Sequence, residues 1–221
     1  MTNFAVIIGG TKLQEPLIKA SKARNLEALV LDKNPNCYLA KKNYNFIKSD
    51  ISSPLECLNA IKNYKICAAY TAQSDVGVPT QGYINSNLGL GGVNYQTALI
   101  ASDKYLFRKH MQDFDISQPE FFKCINKEQV VKASVHLGYP FIIKSVDSSG
   151  SRGVNVINEK NQIDHAIANS FANSNKKYFL AEQFIKGTEY GAQTISTNGD
   201  INYLFLHTDW TESNIPIGHC M

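Results

Sequence analysis

The sequence predicts an α/β fold in two parts: first a parallel sheet of βαβ units, then an α+β part whose strands return as hairpins. Three observations carry this. Short β-branched and aromatic runs alternate with segments of helical spacing over the first ~70 residues, which argues for parallel strands joined by crossover helices. From Gln118 the order changes to strand, helix and closely spaced strand pairs. Near the end, Asn198-Gly-Asp200 separates two apolar runs, and Asn-Gly is the strongest short hairpin signal.

In chain order, Phe4–Ile8 reads as a strand that ends in the turn Gly9-Gly10. Leu13–Arg24 carries Leu13, Leu17, Ile18 and Ala20 at helical spacing. Leu29–Leu31 is a second strand, closed by Asp32 before the turn Lys33-Asn-Pro-Asn36. Pro54–Tyr64 repeats the helical spacing with Leu55, Leu58 and Ile61, and Ile66–Tyr70 is a third strand. Strands this apolar need helices on both faces of their sheet. Gly9-Gly10 followed by Thr-Lys-Leu-Gln lacks the third glycine of a dinucleotide fingerprint, so the pair and Asp32 read as turn residues. Asp75–Gly92 reads as a loop, rich in Gly and Pro. A helix follows, with Ser102 as its N-cap, Asp103 in its first turn and an apolar stripe of Leu106, Phe107, Met111 and Phe114 that packs His110.

Phe121–Ile125 is a strand, and Asn126 caps a helix that runs through Val130, Val131 and Leu137 to Gly138-Tyr-Pro140. Asn158 caps the next helix, which carries Ile163, Ala166, Ile167 and Phe171. Tyr178–Ile185 is a strand containing Glu182, with Phe184 on its opposite, core face. Glu189–Thr197 and Ile201–His207 form the last hairpin. No helix or further strand is expected to cover it, and such a hairpin is marginal alone, so the chain reads as a piece of a longer one.

The stretch from Tyr139 to Val156 organises the second part. Two apolar runs, Phe141–Ile143 and Val154–Ile157, flank Asp147–Gly153, which holds three serines and two glycines. A segment with so little bulk packs nothing, but its backbone amides can fold round an anion as a nest. Lys144 leaves the first run just before it. Lys104, Lys144 and the loop amides suit a polyphosphate, whose charge must be neutralised before a group leaves it. Glu182 and Glu189 would repel phosphate, so they face another part of a ligand, such as an amine or ribose hydroxyls. The plain alternative is a flexible hairpin tip, a surface lysine and two solvated carboxylates.

Composition narrows the class. With 43% hydrophobic and 19% charged residues and a net charge of +3, the 221-residue chain has no basic surplus that would argue for nucleic acid or an anionic membrane. No apolar run approaches the roughly 20 residues of a membrane span, and the start lacks signal-peptide features. Five scattered cysteines, never spaced C-x-x-C, read as reduced thiols without a zinc site. A cytoplasmic protein is expected.

Ser102-Asp-Lys-Tyr-Leu-Phe-Arg108, Tyr139-Pro-Phe-Ile-Ile-Lys144 with Ser148–Gly153, and Glu182-Gln-Phe-Ile185 followed by Gly187-Thr-Glu189 resemble, in that order, the ATP-grasp family. The resemblance implies a Rossmann-like domain over residues 1–100, a connecting helix over 101–117, a small nucleotide-lid lobe over 118–186 and an incomplete second lobe over 187–221. It implies ATP as the bound nucleotide, with Lys104 and Lys144 on its phosphates and Lys144 also near the adenine edge. Backbone amides of Ser148, Ser149, Gly150 and Ser151 would cover the terminal phosphates. Glu182 would accept from the adenine amine, Gln183 and Ile185 would complete the hinge through their backbones, and Glu189 would hold the ribose. The implied reaction phosphorylates a small carboxylate, and an amine or other nucleophile attacks the acylphosphate. The family's magnesium ligands and catalytic groups would lie beyond residue 221, so no metal ligand is assigned and this form is expected not to turn over ATP.

Three readings follow. The first is the ATP-binding part of an ATP-dependent carboxylate ligase. The second is a nucleotide-binding or regulatory module without chemistry. The third, a Rossmann oxidoreductase, is disfavoured by the broken glycine pattern. The expected partners are ATP and a small carboxylate, with a homodimer left open and neither nucleic acid nor membrane.

Overall fold

The computed structural model describes residues 2–212 and 215–219, with side chains through Thr208. The chain divides into two compact units, Met1–Asp113 and Phe114–Met221.

In the first unit, β1 (Asn3–Ile8), β2 (Glu27–Asp32), β3 (Asn45–Lys48) and β4 (Lys65–Tyr70) form a parallel sheet in the order β3-β2-β1-β4. The helices are α1 (Glu15–Lys22), α2 (Pro54–Ile61), α3 (Val78–Leu88), α4 (Tyr95–Ser102) and α5 (Lys104–Asp113). Alternate side chains of β1 and β2 enter separate cores, as the apolar strands require. Ile7 and Val30 pack with Ile18 and Leu39 on one face, and Val6, Ile8, Leu29 and Leu31 pack with Cys57, Ile61 and Ile84 on the other. Asp32 serves its turn, accepting from Gly10 N–H at 2.7 Å and Asn34 N–H at 2.8 Å.

Several expectations fail here. Val78–Leu88, read as loop, is a helix. Its buried positions include Thr80, Gln81 and Asn85, so no apolar stripe marks it. These side chains reach partners elsewhere in the unit: Thr80 donates to Ile51 O and the Asn85 Nδ2 to Val93 O, while Gln81 accepts from Thr71 N–H. Gly82 is a contact rather than a turn, since a Cβ there would sit 2.6 Å from that of Ala98 on α4. Ser102 ends α4, and the buried Asp103 caps α5 by accepting from Tyr105 and Leu106 N–H. The stripe on α5 contains no buried residue; His110 and Phe107 are exposed. Leu13 is exposed as well, in a 3-10 turn before α1. β3 went unforeseen because its apolar part is only Phe46-Ile47.

In the second unit, β5 (Phe121–Cys124), β6 (Phe141–Ser145), β7 (Val154–Ile157) and β8 (Phe179–Gln183) form an antiparallel sheet ordered β5-β8-β6-β7. Helices α6 (Lys127–Leu137) and α7 (Ile163–Ala172) cover one face of it. Phe141, Ile143, Phe179 and Ala181 bury that face against Val130, Ala133, Ile163 and Ala166. Asn126 caps α6 as expected, accepting from Gln129 N–H at 3.0 Å. The start of α7 differs: a 3-10 turn, Lys160–Gln162, leads into it, and Glu159, not Asn158, caps that turn in a capping box with Gln162.

β8 stops at Gln183, two residues short of expectation. Its ladder on β6 ends with Phe141 opposite Gln183, and the next residue on that strand is Pro140, which has no N–H to donate. Phe184 and Ile185 therefore leave the sheet, and Phe184 is only half-buried rather than a core residue. β9 (Tyr190–Thr197) and β10 (Asp200–Glu212) form the expected hairpin, with Asn198 and Gly199 at φ 55° and 90°. A third strand, β11 (Ile215–His219), pairs with β10, where none was expected.

Candidate functional site

The face of the antiparallel sheet opposite α6 and α7 gathers the chemistry. Alternation on β6 puts Phe141 and Ile143 into the core and Ile142 and Lys144 on the other side. On β8 it buries Phe179 and Ala181 against the helices and turns Leu180 and Glu182 the same way as Lys144. Glu182 stands opposite Ile142, so Lys144 lies on the diagonal, within reach of a long side chain. The two form an ion pair, their side chains only 15% and 4% exposed. Pairing offsets part of the desolvation cost that an ammonium or a carboxylate buried alone would carry.

β6 leads from Lys144 into the loop 146–153. Ser149, Gly150 and Ser151 direct backbone N–H groups to no partner among the described residues. Gly150 and Ser151 have φ of 63° and 57°. Arg152 folds back on the tip, its guanidinium donating to Ser149 O at 2.9 Å and to Ser149 Oγ at 3.3 Å. The loop thus concentrates donors: three amides, serine hydroxyls and a guanidinium, beside the Lys144 ammonium at its root. Such a set accepts an anion.

The remaining candidates take varied places. Gln183 ends β8, its N–H donating to Glu120 O at 2.9 Å. The Glu120 N–H is turned toward the Gln183 side chain at 3.5 Å. Ile185 is exposed in the segment after β8, where its N–H has no partner among the described residues. Glu189 is exposed just before β9. Lys104 opens α5 in the first unit. The sequence reading missed Arg152, whose signal was its place in Ser-Arg-Gly within the loop.

A profile of the ATP-grasp domain matches residues 101–214, just over half of the chain. The chain belongs to the ATP-grasp family. The match covers the loop, the Lys144–Glu182 pair and the segment after β8. Among curated proteins, the ATP-grasp chain is 28% identical over 171 residues to phosphoribosylaminoimidazole carboxylase of Schizosaccharomyces pombe, covering 73% of this chain and 29% of that one. Among solved structures, it superposes on phosphoribosylglycinamide synthetase of Anaerococcus prevotii with a TM-score of 0.70 and 24% identity, covering 98% and 55% of the two chains. Carboxyaminoimidazole ribonucleotide synthase of Aspergillus clavatus, complexed with ATP, gives 0.76 and 15%, with 97% and 56% covered. The fold is therefore the mixed α/β fold expected, and the chain spans little over half the length of these structures.

Among the described residues, no three His, Cys, Asp or Glu side chains converge to hold a metal ion. The side chains of Asp209, Glu212, His219 and Cys220 lie outside the described residues. No described helix is long and apolar enough to cross a membrane.

Proposed function

We propose that the second unit binds ATP on the helix-free face of its antiparallel sheet, and that the whole protein is an ATP-dependent carboxylate ligase. The observation that carries this reading is the buried Lys144–Glu182 pair at the root of a loop whose tip amides have no partner among the described residues. The adenine lies along Glu182–Ile185. Its amine donates to the Glu182 carboxylate and the Gln183 carbonyl, and its ring nitrogen accepts from the Ile185 N–H. The phosphates lie under the tip, held by amides of Ser148–Ser151 and by the Lys144 and Arg152 cations. Glu189 takes the ribose hydroxyls. Preorganised donors at the terminal phosphate stabilise the charge that moves as it is transferred. The acceptor is a small carboxylate, and the acylphosphate it becomes is opened by an amine or similar nucleophile. Magnesium, where bound, supplies charge neutralisation between the phosphates.

Calorimetric titration with ATP tests this. Lys144→Ala should weaken binding by about 1.5–3 kcal/mol, the worth of a charge-assisted hydrogen bond. Unchanged affinity would return Lys144 to a purely structural partner of Glu182.

A further inference from the structure

The loop 146–153 is held at both ends, and the clasp lies on α7 rather than on the nucleotide face. At the first foot, the Asp147 carboxylate accepts from Ser174 Oγ at 2.5 Å and from Asn175 N–H at 3.0 Å, both just past the end of α7. At the second foot, the Gly153 carbonyl accepts from Ser170 Oγ at 3.0 Å and from Asn155 Nδ2 at 3.3 Å. Ser170 sits on α7 and is fully buried. The same carbonyl accepts from Ser145 N–H at 3.1 Å, which closes one foot on the other. The Ser145 and Ser148 hydroxyls meet and both reach the Arg152 carbonyl, at 3.0 and 2.7 Å.

Asn155 is braced in turn. Its Nδ2 also reaches Ile143 O and Ala166 O, and its Oδ1 accepts from Asn169 Nδ2 at 2.8 Å. Gly153 is confined to this place: it has φ 71°, and a Cβ would stand 2.6 Å from Ser145 Oγ. The tip is tied only within the loop, by Arg152 to Ser149 and by Val154 N–H to Ser151 O at 3.3 Å, and among the described residues none of its bonds reaches α7. A Cβ on Gly150 would meet open space, and the amides of Ser149–Ser151 have no partner among the described residues.

We propose that Asp147, Asn155 and Ser170 are positioning residues that clamp both feet of this loop to α7 and the turn just beyond it, so that phosphate binding reorders only the Ser149–Ser151 tip. The clamp fixes where the tip amides converge without touching the nucleotide. This rests on the ATP reading above for its ligand, but the clamp itself can be measured without one. A loop free at its feet would lose its conformational entropy on each binding event; a clamped loop has already lost most of it.

The test uses the full chain, with Ser170→Ala and Asp147→Asn, titrated with ATP and with adenosine, together with amide exchange of the empty protein. Each variant should bind ATP roughly threefold to tenfold more weakly, the effect of one lost hydrogen bond, and bind adenosine as wild type does. The Ser145 amide, which spans the feet, should exchange faster in both variants. Equal losses for ATP and adenosine would overturn the clamp in favour of a general weakening of the unit, and so would unchanged Ser145 exchange. If Ser170→Ala does not fold, Asp147→Asn at its half-buried site decides alone. If wild type binds neither ligand, the ATP reading falls and the Ser145 exchange still decides the clamp.

Discussion

Replacing Lys144 by Met separates the structural role of the ion pair from any role in binding. The substitution keeps the aliphatic stem but removes the Lys144 ammonium from the Glu182 carboxylate, which is only 4% exposed. Removing one partner of a buried pair costs about 3–5 kcal/mol, because the remaining charge stays desolvated. The reverse single change, Glu182→Met, should cost less, since Lys144 is 15% exposed and a flexible ammonium can turn outward to water. The double variant removes both charges from an apolar face shared with Ile142 and Leu180, and should lie within about 1 kcal/mol of wild type or above it. The cycle would then give a coupling of roughly 3 kcal/mol. Native-state amide exchange at β6 and β8 reads the second unit by itself, which matters in a chain of two compact units. A cost below about 1 kcal/mol for Lys144→Met would place the pair with solvent-screened surface bridges and refute the burial argument.

Glu182 should also select the base. Guanine would present an oxygen to the carboxylate and an N–H to the Ile185 N–H, two mismatches of about 1–3 kcal/mol each, so ATP should bind at least roughly thirtyfold tighter than GTP. Competition titration checks this, and Glu182→Gln should shrink the preference. Gly82→Ala drives a methyl to within 2.6 Å of Ala98 Cβ and should destabilise the first unit by about 1–3 kcal/mol; thermal melts that match wild type would show that α3 and α4 can separate freely. Burial pushes the Cys124 thiol up to about 11, so at pH 8 alkylation followed by peptide mass spectrometry should label exposed Cys67 well before Cys124. A thiol whose pKa is raised by folding contributes stability that is lost as pH rises, so the second unit should weaken between about pH 9 and 11 in denaturant titrations, and Cys124→Ala should flatten that decline.

The sequence by itself determined whatever depends on local pattern. Uninterrupted apolar runs marked β1, β2 and β4, and Asn126 and Gly138 bounded α6 through capping chemistry. Asn198-Gly set the turn between β9 and β10, and the order of the lysine, loop and acidic motifs marked the family. Tertiary structure decided whatever depends on residues brought together from afar. α3 was illegible because its buried side chains are polar and find partners 8 to 29 residues away, at Val93, Thr71 and Ile51. Gly82 looked like a turn because the neighbour that requires it, Ala98, lies on another helix. Lys144 and Glu182, 38 residues apart, gave no local sign of pairing; only the β6–β8 register puts them on one face. The clasp on the loop comes from α7 and the turn beyond it, whose Ser and Asn residues read as ordinary polar positions. Their hydrogen bonds exist only once the helix has packed across the sheet, because a single hydroxyl or amide stabilises the chain too little to order it unaided.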